Sequence, residues 1–188
     1  MVDQKEVIEL LPEVNLVNDE SLKKSVINSW IEASKIWGWE KKELKRLPFV
    51  LTALKDCPIT LIEHTRHVTI LAVLIGKELS KYYGKFIKLN QDFIVAGALL
   101  HDLGKLSEFS FVNGKFVFSK EGKLLRHPIA GAMLAFNSGV PIEVCHIIAV
   151  HSFEGEKSSK SPEAFIVRNA DWINFDFLTY TFPSQMNL

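Results

Sequence analysis

The sequence has few cysteines and no excess of either charge. Cys57 and Cys145 are the two cysteines among 188 residues, and both lie in apolar, helix-like surroundings. They do not form the disulfide framework of a small secreted protein, so we expect a reducing compartment. Lysine and arginine number 22 and so do aspartate and glutamate, which gives a net charge of zero. Long nucleic acid is therefore not an expected partner, because non-specific binding to it needs a basic surface.

Long hydrophobic runs and targeting signals are also lacking. The longest clean apolar run, residues 93–100, is far too short to span a bilayer. The first residues are polar and do not follow the pattern of a signal peptide. We find no internal repeat and no glycine-rich phosphate loop of the Walker or dinucleotide type. These features predict a soluble, cytoplasmic protein without a membrane partner, and they leave its oligomeric state open.

Helical periodicity dominates the rest of the sequence. Hydrophobic residues make up 47% and charged residues 23%, as in an ordinary globular domain. The stretch 109–118 instead alternates around Asn113-Gly114, which is the strongest short-range signal for a β-hairpin. The sequence predicts an all-α bundle of about seven to eight helices with a small inserted β-hairpin. The clearest helical segments are 60–83, 122–137, 142–152 and one that begins at Pro162. Within 122–137, Pro128 indicates that His127 lies at a helix start or at a kink just before one.

We expect two parts in this chain, which together form one compact unit. Residues 1–56 would be an N-terminal helical cap, and residues 57–188 the main domain. Three tryptophans cluster in the cap, and we interpret them as a packed layer over the main domain: Trp30, Trp37 and Trp39. The hairpin is either a flap beside a functional site or a surface feature, because it directly follows Lys105 and Glu108.

An apolar helix-like run ends in His101 and Asp102, which are followed by Gly104 and Lys105. Adjacent helical residues point about 100° apart, so His101 and Asp102 could approach one ion only from the end of a helix. We expect Gly104 to end that helix in the positive-φ conformation of a C-cap. Imidazole and carboxylate together suit a divalent cation. Taken alone, the pair fits a capped helix end at least as well.

Several other segments place a histidine or an aspartate on or beside an apolar face. Periodicity does not decide between His64 and His67 in the first of them. Asp171 interrupts an apolar stripe, so it needs either a metal ion or an ionic partner, for which Arg168 is the ordinary candidate. Such groups are satisfied most economically if they converge on cations, as in the metal sites of helical bundles. Two ions that share Asp102 fit the full set: His64, His101, Asp102, His127, His151 and Asp171.

The combined pattern resembles the HD-domain superfamily of metal-dependent phosphohydrolases, in the branch with an HDIG-like core. The resemblance covers residues 60–178, in the segments 63–72, 100–105, 127–131, His151 and 169–172. It implies that His64, in register with Val68 and Ala72, is the ligand rather than His67. It also implies that one ion is held by His64, His101, Asp102 and Asp171, and a second by His127 and His151 with Asp102 as the bridge.

The resemblance implies an HD-domain-like helical bundle for the fold. It also implies a hydrolase of phosphate esters, with nucleotides or related small phosphorylated metabolites as substrates. Two divalent ions, drawn from Fe, Mn, Zn, Ni, Co and Mg, would activate water. Asp102 and Lys105 are the catalytic candidates, and Lys105 would neutralise charge that develops on the phosphate. Arg126 and Arg168 are weaker candidates for binding the substrate. The alternatives are a non-catalytic HD regulatory or binding module and, less favoured, a di-iron oxygenase of the HD type.

Overall fold

The computed structural model describes residues 2–54 and 57–183. Within them the regular elements are helices and one β-hairpin, so the all-α prediction is confirmed. Seven of the described α-helices have at least seven residues, and three short ones have four or five. In chain order the elements are α1 (Gln4–Leu10), a 3₁₀ turn (Pro12–Leu16), α2 (Glu20–Trp37), α3 (Lys41–Leu44), α4 (Leu61–Tyr83), α5 (Gln91–Leu100), α6 (Lys105–Glu108), β1 (Phe109–Val112), β2 (Lys115–Phe118), α7 (Lys120–Leu124), α8 (His127–Asn137), α9 (Ile142–Val150), a 3₁₀ turn (Phe153–Gly155) and α10 (Pro162–Thr181).

Helix α5 is the centre of the fold, and α2, α4, α9 and α10 pack around it. Every residue of α5 from Ile94 to Leu100 is buried, which is the pattern of a helix enclosed on all sides. The surrounding helices contribute narrower apolar stripes, such as Val68 and Ala72 of α4 and Val167 and Ala170 of α10. Since α5 is enclosed, the polar residues that follow it, His101 and Asp102, lie inside the protein.

The N-terminal region packs directly on this centre. The indole N–H of Trp30 donates to the carbonyl oxygen of Leu99 at 3.1 Å, and that of Trp39 donates to the carbonyl oxygen of Leu106 at 2.8 Å. Both indole rings are buried, which confirms the packing role for these two residues. The division at 56/57 stays a prediction, and Lys55 and Asp56 beside it lie outside the described residues.

The predicted helix 122–137 is in fact two helices. Helix α7 ends at Leu124, and α8 begins at His127 after two extended residues, Leu125 and Arg126. The break follows from Pro128, because a proline inside a helix removes a hydrogen bond and clashes with the carbonyl group four residues earlier. A proline is tolerated in the first turn, where it lies here.

The hairpin forms as predicted. Asn113 and Gly114 form its turn with positive φ angles of 50° and 79°, as a type I′ turn requires. Phe109 pairs with Phe118 at the open end of the hairpin, and their ring centroids lie 5.6 Å apart. None of the described helices is both long enough and apolar enough to cross a membrane.

Gly104 does not have the predicted positive φ. Its φ of −65° and ψ of −12° are right-handed helical values that any residue can adopt. Glycine is needed there for space, because a Cβ atom at Gly104 would lie 2.1 Å from the carbonyl oxygen of His127 and 2.7 Å from the backbone nitrogen of Gly131. The prediction was wrong because the constraint comes from α8, a distant part of the chain.

Candidate metal centre

Side chains from five parts of the chain meet in one cluster. They lie on five helices or directly after them: His64 on α4, His101 and Asp102 after α5, His127 on α8, His151 after α9, and Asp171 on α10. His64, His101, Asp102 and His151 are at most 1% exposed. The structure therefore brings together all six residues that the sequence pattern singled out, and His67 is exposed instead.

One side of the cluster forms around His64. Its Nε2 atom lies 3.0 Å from Oδ1 of Asp171, 3.3 Å from Nε2 of His101 and 3.4 Å from Oδ2 of Asp102. His64, His101 and Asp171 offer ligand atoms close enough together to share one ion. Of the two alternatives for Asp171, the ion pair with Arg168 is wrong, since Arg168 instead pairs with Glu156 at 2.6 Å.

The other side of the cluster forms around the second oxygen of Asp102. Oδ1 lies 3.4 Å from Nε2 of His127 and 3.7 Å from Nε2 of His151, whereas Oδ2 faces His64 and His101. Oδ1 is buried and lacks a hydrogen-bond partner among the described residues. A buried carboxylate oxygen without a partner is costly, and a cation would satisfy it. A second group of ligand atoms close enough together to share an ion comes from His101, Asp102 and His151. The donor set of imidazole and carboxylate groups therefore fits divalent metal binding.

In each of the four histidines, Nδ1 is the ring nitrogen that points away from the cluster, and it faces an oxygen atom. His101 and His151 are the C-caps of α5 and α9, and each places Nδ1 beside the carbonyl oxygen three residues back, at 2.6 Å from Ala98 and 2.7 Å from Ile148. Carbonyl groups in a last helical turn lack helical partners, which is why this arrangement recurs. Nδ1 of His64 lies 3.0 Å from Oδ1 of Asn174. When Nδ1 donates, the lone pair of Nε2 points into the cluster, as metal ligation requires.

Electrostatics give the cluster the protonation states of a metal site. Burial raises the pKa of Asp102, but the Lys105 ammonium at 2.7 Å and His101 outweigh it and hold that pKa well below its usual range. Burial also raises the pKa of Asp171, yet the hydrogen bond with His64 brings it down to about 2. Burial lowers the pKa of His127. At neutral pH both carboxylates are ionised and His127 is neutral.

A cavity of about 530 Å³ opens from the cluster. Lys105 and Arg126 line it, whereas Arg168 is not among the described residues that do so. Arg126 pairs with Glu154 at 2.9 Å and with Glu108 at 3.2 Å. Aromatic side chains form much of the remaining wall: Phe49, Phe109, Phe118, Phe153, Trp172 and Phe175. Two of these, Phe109 and Phe118, belong to the open end of the hairpin, which therefore lies beside the site.

Three residues that contact the cluster were not identified from the sequence: Phe49, Asn174 and Glu108. Phe49 stacks on the His64 ring with centroids 4.5 Å apart, and Lys105 Nζ lies 5.4 Å from the Phe49 centroid. Asn174 could have been found, because it follows Asp171 by three positions and so shares its helix face. Glu108 and Phe49 give no periodic signal, since their contacts depend on how distant segments pack.

Two curated relatives match part of the chain. It is 38% identical over 117 residues to a Methanocaldococcus jannaschii protein named dihydroneopterin 2′,3′-cyclic phosphate phosphodiesterase, covering 59% of this chain and 44% of the relative. It is 34% identical over 108 residues to the 3′-5′ exoribonuclease YhaM of Oceanobacillus iheyensis, covering 53% of this chain and 32% of the relative. The matches thus span less than half the length of these relatives. No solved structure matches significantly.

The family comparison agrees with the resemblance seen in the motifs. The HD domain family matches residues 61–176, which is more than half of the chain. The match begins with α4, which carries His64, and extends beyond Asp171 on α10, so it contains the whole cluster. The chain belongs to the HD domain family.

Proposed function

We propose that this protein is a metal-dependent hydrolase of phosphate esters with a dinuclear centre. The observation that carries this proposal is the placement of Asp102. One of its carboxylate oxygens faces His64 and His101, and the other, which lacks a hydrogen-bond partner, faces His127 and His151. A carboxylate placed between two pairs of imidazoles suits a bridge between two cations.

The proposed ligands divide into two sets that share Asp102. The first set adds His64, His101 and Asp171, and the second adds His127 and His151. Divalent ions in such a centre supply Lewis acidity and activated water for the attack on phosphorus. Fe, Mn, Zn, Ni, Co and Mg remain candidates, because histidine and aspartate serve many of these ions.

The cationic side chains of the cavity would bind the phosphate. Lys105 is only 8% exposed and reaches Asp102, so its ammonium group lies where negative charge of a phosphoryl group would accumulate. Arg126 would approach from the cavity wall, where two carboxylates now hold it. Binding of substrate by Arg168 stays a prediction that the position of this residue does not support.

We infer that the substrate is a small phosphate ester with a planar ring, such as a nucleotide. A volume of about 530 Å³ is larger than a phosphate group needs and lies within the range of small-molecule sites. The aromatic walls offer faces on which a ring can stack. The name of one relative specifies a cyclic phosphate and that of the other an exoribonuclease, so cyclic phosphates and short RNA belong among the test substrates.

The test is elemental analysis of the purified protein followed by assays on phosphomonoesters, cyclic and linear phosphodiesters and short RNA with each metal. We expect two ions per chain and metal-dependent hydrolysis of a P–O ester bond that Asp102→Asn abolishes. Oxygen uptake by the iron-loaded protein without hydrolysis of any of these esters would favour the oxygenase alternative. Metal binding without turnover of any substrate would favour the non-catalytic module.

A further inference from the structure

Glu108 is a buried carboxylate at the end of α6 to which the proposed function assigns no role. It is 2% exposed, and the polar contacts of its side chain with the described residues fall on one oxygen. Oε1 accepts the backbone N–H of His127 at 2.8 Å, and it lies 3.2 Å from Nδ1 of the same residue and 3.2 Å from Nη1 of Arg126. Glu108 therefore contacts both the backbone and the ring of one proposed ligand.

Among the proposed histidine ligands, His127 is the one whose partner is charged. Nδ1 of each of the other three faces a neutral oxygen. The partner is the carbonyl oxygen of Ala98 for His101, that of Ile148 for His151, and the side-chain oxygen of Asn174 for His64. A carboxylate behind an imidazole raises the basicity of the ring and strengthens its bond to a metal. The second side of the cluster thus has a histidine, His127, with a carboxylate behind its ring, whereas the histidines of the first side have neutral partners.

Within the described residues, Nδ1 of His127 is buried and has no regular hydrogen-bond partner. Oε1 of Glu108, at 3.2 Å, is the carboxylate oxygen that lies beside it. Apo catalytic geometry is often loose in this way. The N-terminus of α8 has no cap from its own N-cap side chain, that of Arg126, so Glu108 also serves as an anionic cap for this helix.

The backbone of Glu108 is fixed by the segments that follow it. Its carbonyl oxygen accepts the N–H of Ser119 at 2.8 Å, which closes the hairpin. A Cβ atom at Gly122 of α7 would lie 2.4 Å from the Cα of Glu108, so α7 packs tightly against it. The hairpin and α7 therefore hold the carboxylate in place beneath His127.

We propose that Glu108 is a positioning residue for the second metal ion. It holds His127 in the tautomer with a proton on Nδ1 and a free lone pair on Nε2, and in this way sets the affinity of the site formed by Asp102, His127 and His151. The metal part of this inference rests on the proposed function, whereas the tautomer of His127 is independent of it.

The metal experiment titrates Co²⁺ into the metal-free protein and follows the visible spectrum and the heat of binding. The site formed by Asp102, His127 and His151 has fewer protein ligands than the first, so we expect its ion to be the weaker one. In Glu108→Gln, which keeps the side-chain volume, this ion should lose about tenfold in affinity while the tighter one is unchanged, and the loss should be larger in Glu108→Ala. Glu154→Gln is the matched control, because Glu154 also pairs with Arg126 but is not in contact with His127. Two ions bound equally well by wild type and Glu108→Gln would overturn the proposal and leave the proposed function standing.

The second readout is the tautomer of His127 in the metal-free protein, from long-range ¹H–¹⁵N NMR of the imidazole nitrogens. We expect the Nδ1-protonated form in wild type and a mixture in Glu108→Gln. A proton on Nε2 in the wild type would overturn the proposal whatever the variants do. If the wild type binds fewer than two ions, the dinuclear centre fails, and the tautomer still decides whether Glu108 orients His127.

Discussion

Gly104 lies against His127 so closely that a Cβ atom at Gly104 would be 2.1 Å from the carbonyl oxygen of His127. The two residues belong to segments that hold proposed ligands on either side of Asp102. Their contact is made by backbone atoms, which cannot rotate away as a side chain can. The distance between the two sides of the cluster therefore depends on the absence of a side chain at Gly104.

Gly104→Ala should destabilise the protein and separate the two sides of the cluster. We expect a loss of about 1–3 kcal/mol or more in the free energy of unfolding, because the overlap is with backbone. Denaturant titration measures this loss. Gly131→Ala is the graded control at the same contact, where the nearest atom would be 3.0 Å away, and it should cost less. Equal stability of Gly104→Ala and wild type would contradict the expected clash.

Metal ions should stabilise the folded protein through Asp102. At a free concentration a hundred times the dissociation constant, one bound ion adds about 2.7 kcal/mol to the free energy of unfolding. A rise in melting temperature on adding Mn²⁺ or Zn²⁺, reversed by EDTA, measures the effect. Asp102→Asn should remove this rise. Asp176→Asn should keep it, since Asp176 lines the cavity outside the cluster.

Lys105→Met should lower turnover sharply without removing metal. We expect kcat to fall about 100-fold, because the ammonium group that would face the phosphoryl charge is lost. Elemental analysis alongside the assay separates this effect from a loss of metal. Lys160→Met is the control, because Lys160 contacts backbone carbonyl oxygens and is not among the described residues that line the cavity. Unchanged kcat would remove Lys105 from the mechanism.

Phe153→Ala should weaken binding of ring-bearing substrates only. Phe153 lines the cavity although 77% of the residue is exposed, so its removal should not disturb the core. We expect KM for an aryl or nucleoside phosphate to rise about tenfold, the loss of one aromatic contact, with KM for an alkyl phosphate unchanged. Phe165→Ala, another exposed phenylalanine, is the control. A parallel change for both substrate types would exclude ring stacking on Phe153.

The pair between Glu154 and Arg126 should contribute stability above about pH 4.5 that is lost in acid. Burial raises the pKa of Glu154, but hydrogen bonds with Ser152 and Arg126 outweigh it and lower that pKa from 4.5 to about 2. The unfolded chain then binds more protons than the folded one between these pH values, so the contribution falls as the pH drops through that window. Glu154→Gln should cost about 1 kcal/mol or less at pH 7, since solvent screens the pair, and the cost should vanish towards pH 2. A cost that does not depend on pH would contradict this origin.

Local patterns in the sequence predicted much of the fold. The Asn113-Gly114 turn formed because its two residues accept positive φ angles, whatever the rest of the chain does. The stripe of Val68 and Ala72 faces the core as its spacing requires. The break between α7 and α8 was predicted only in part. Helical periodicity continues across it, whereas Pro128 indicated that His127 lies at a helix start or at a kink just before one.

Likewise, only part of the candidate site could be predicted from the sequence. Its six proposed ligands could be chosen from the sequence, because each interrupts or ends an apolar stripe and because their spacing resembles that of HD proteins. Arg168 was also a candidate from the sequence, as an ionic partner of Asp171, since it lies one helical turn away. In the structure it pairs with Glu156 and lies 4.5 Å over the ring of Trp172. Such partners are set by neighbouring segments rather than by helix spacing.

The sequence by itself singled out the candidate residues and the apolar stripes beside which they lie, since periodicity is a local property of the chain. Only the tertiary structure decided that the two oxygens of Asp102 face different histidines, that Glu108 lies beneath His127, and that Gly104 must be glycine. These relationships depend on the distance and rotation between helices that are far apart in sequence. Packing of side chains between the helices sets both quantities.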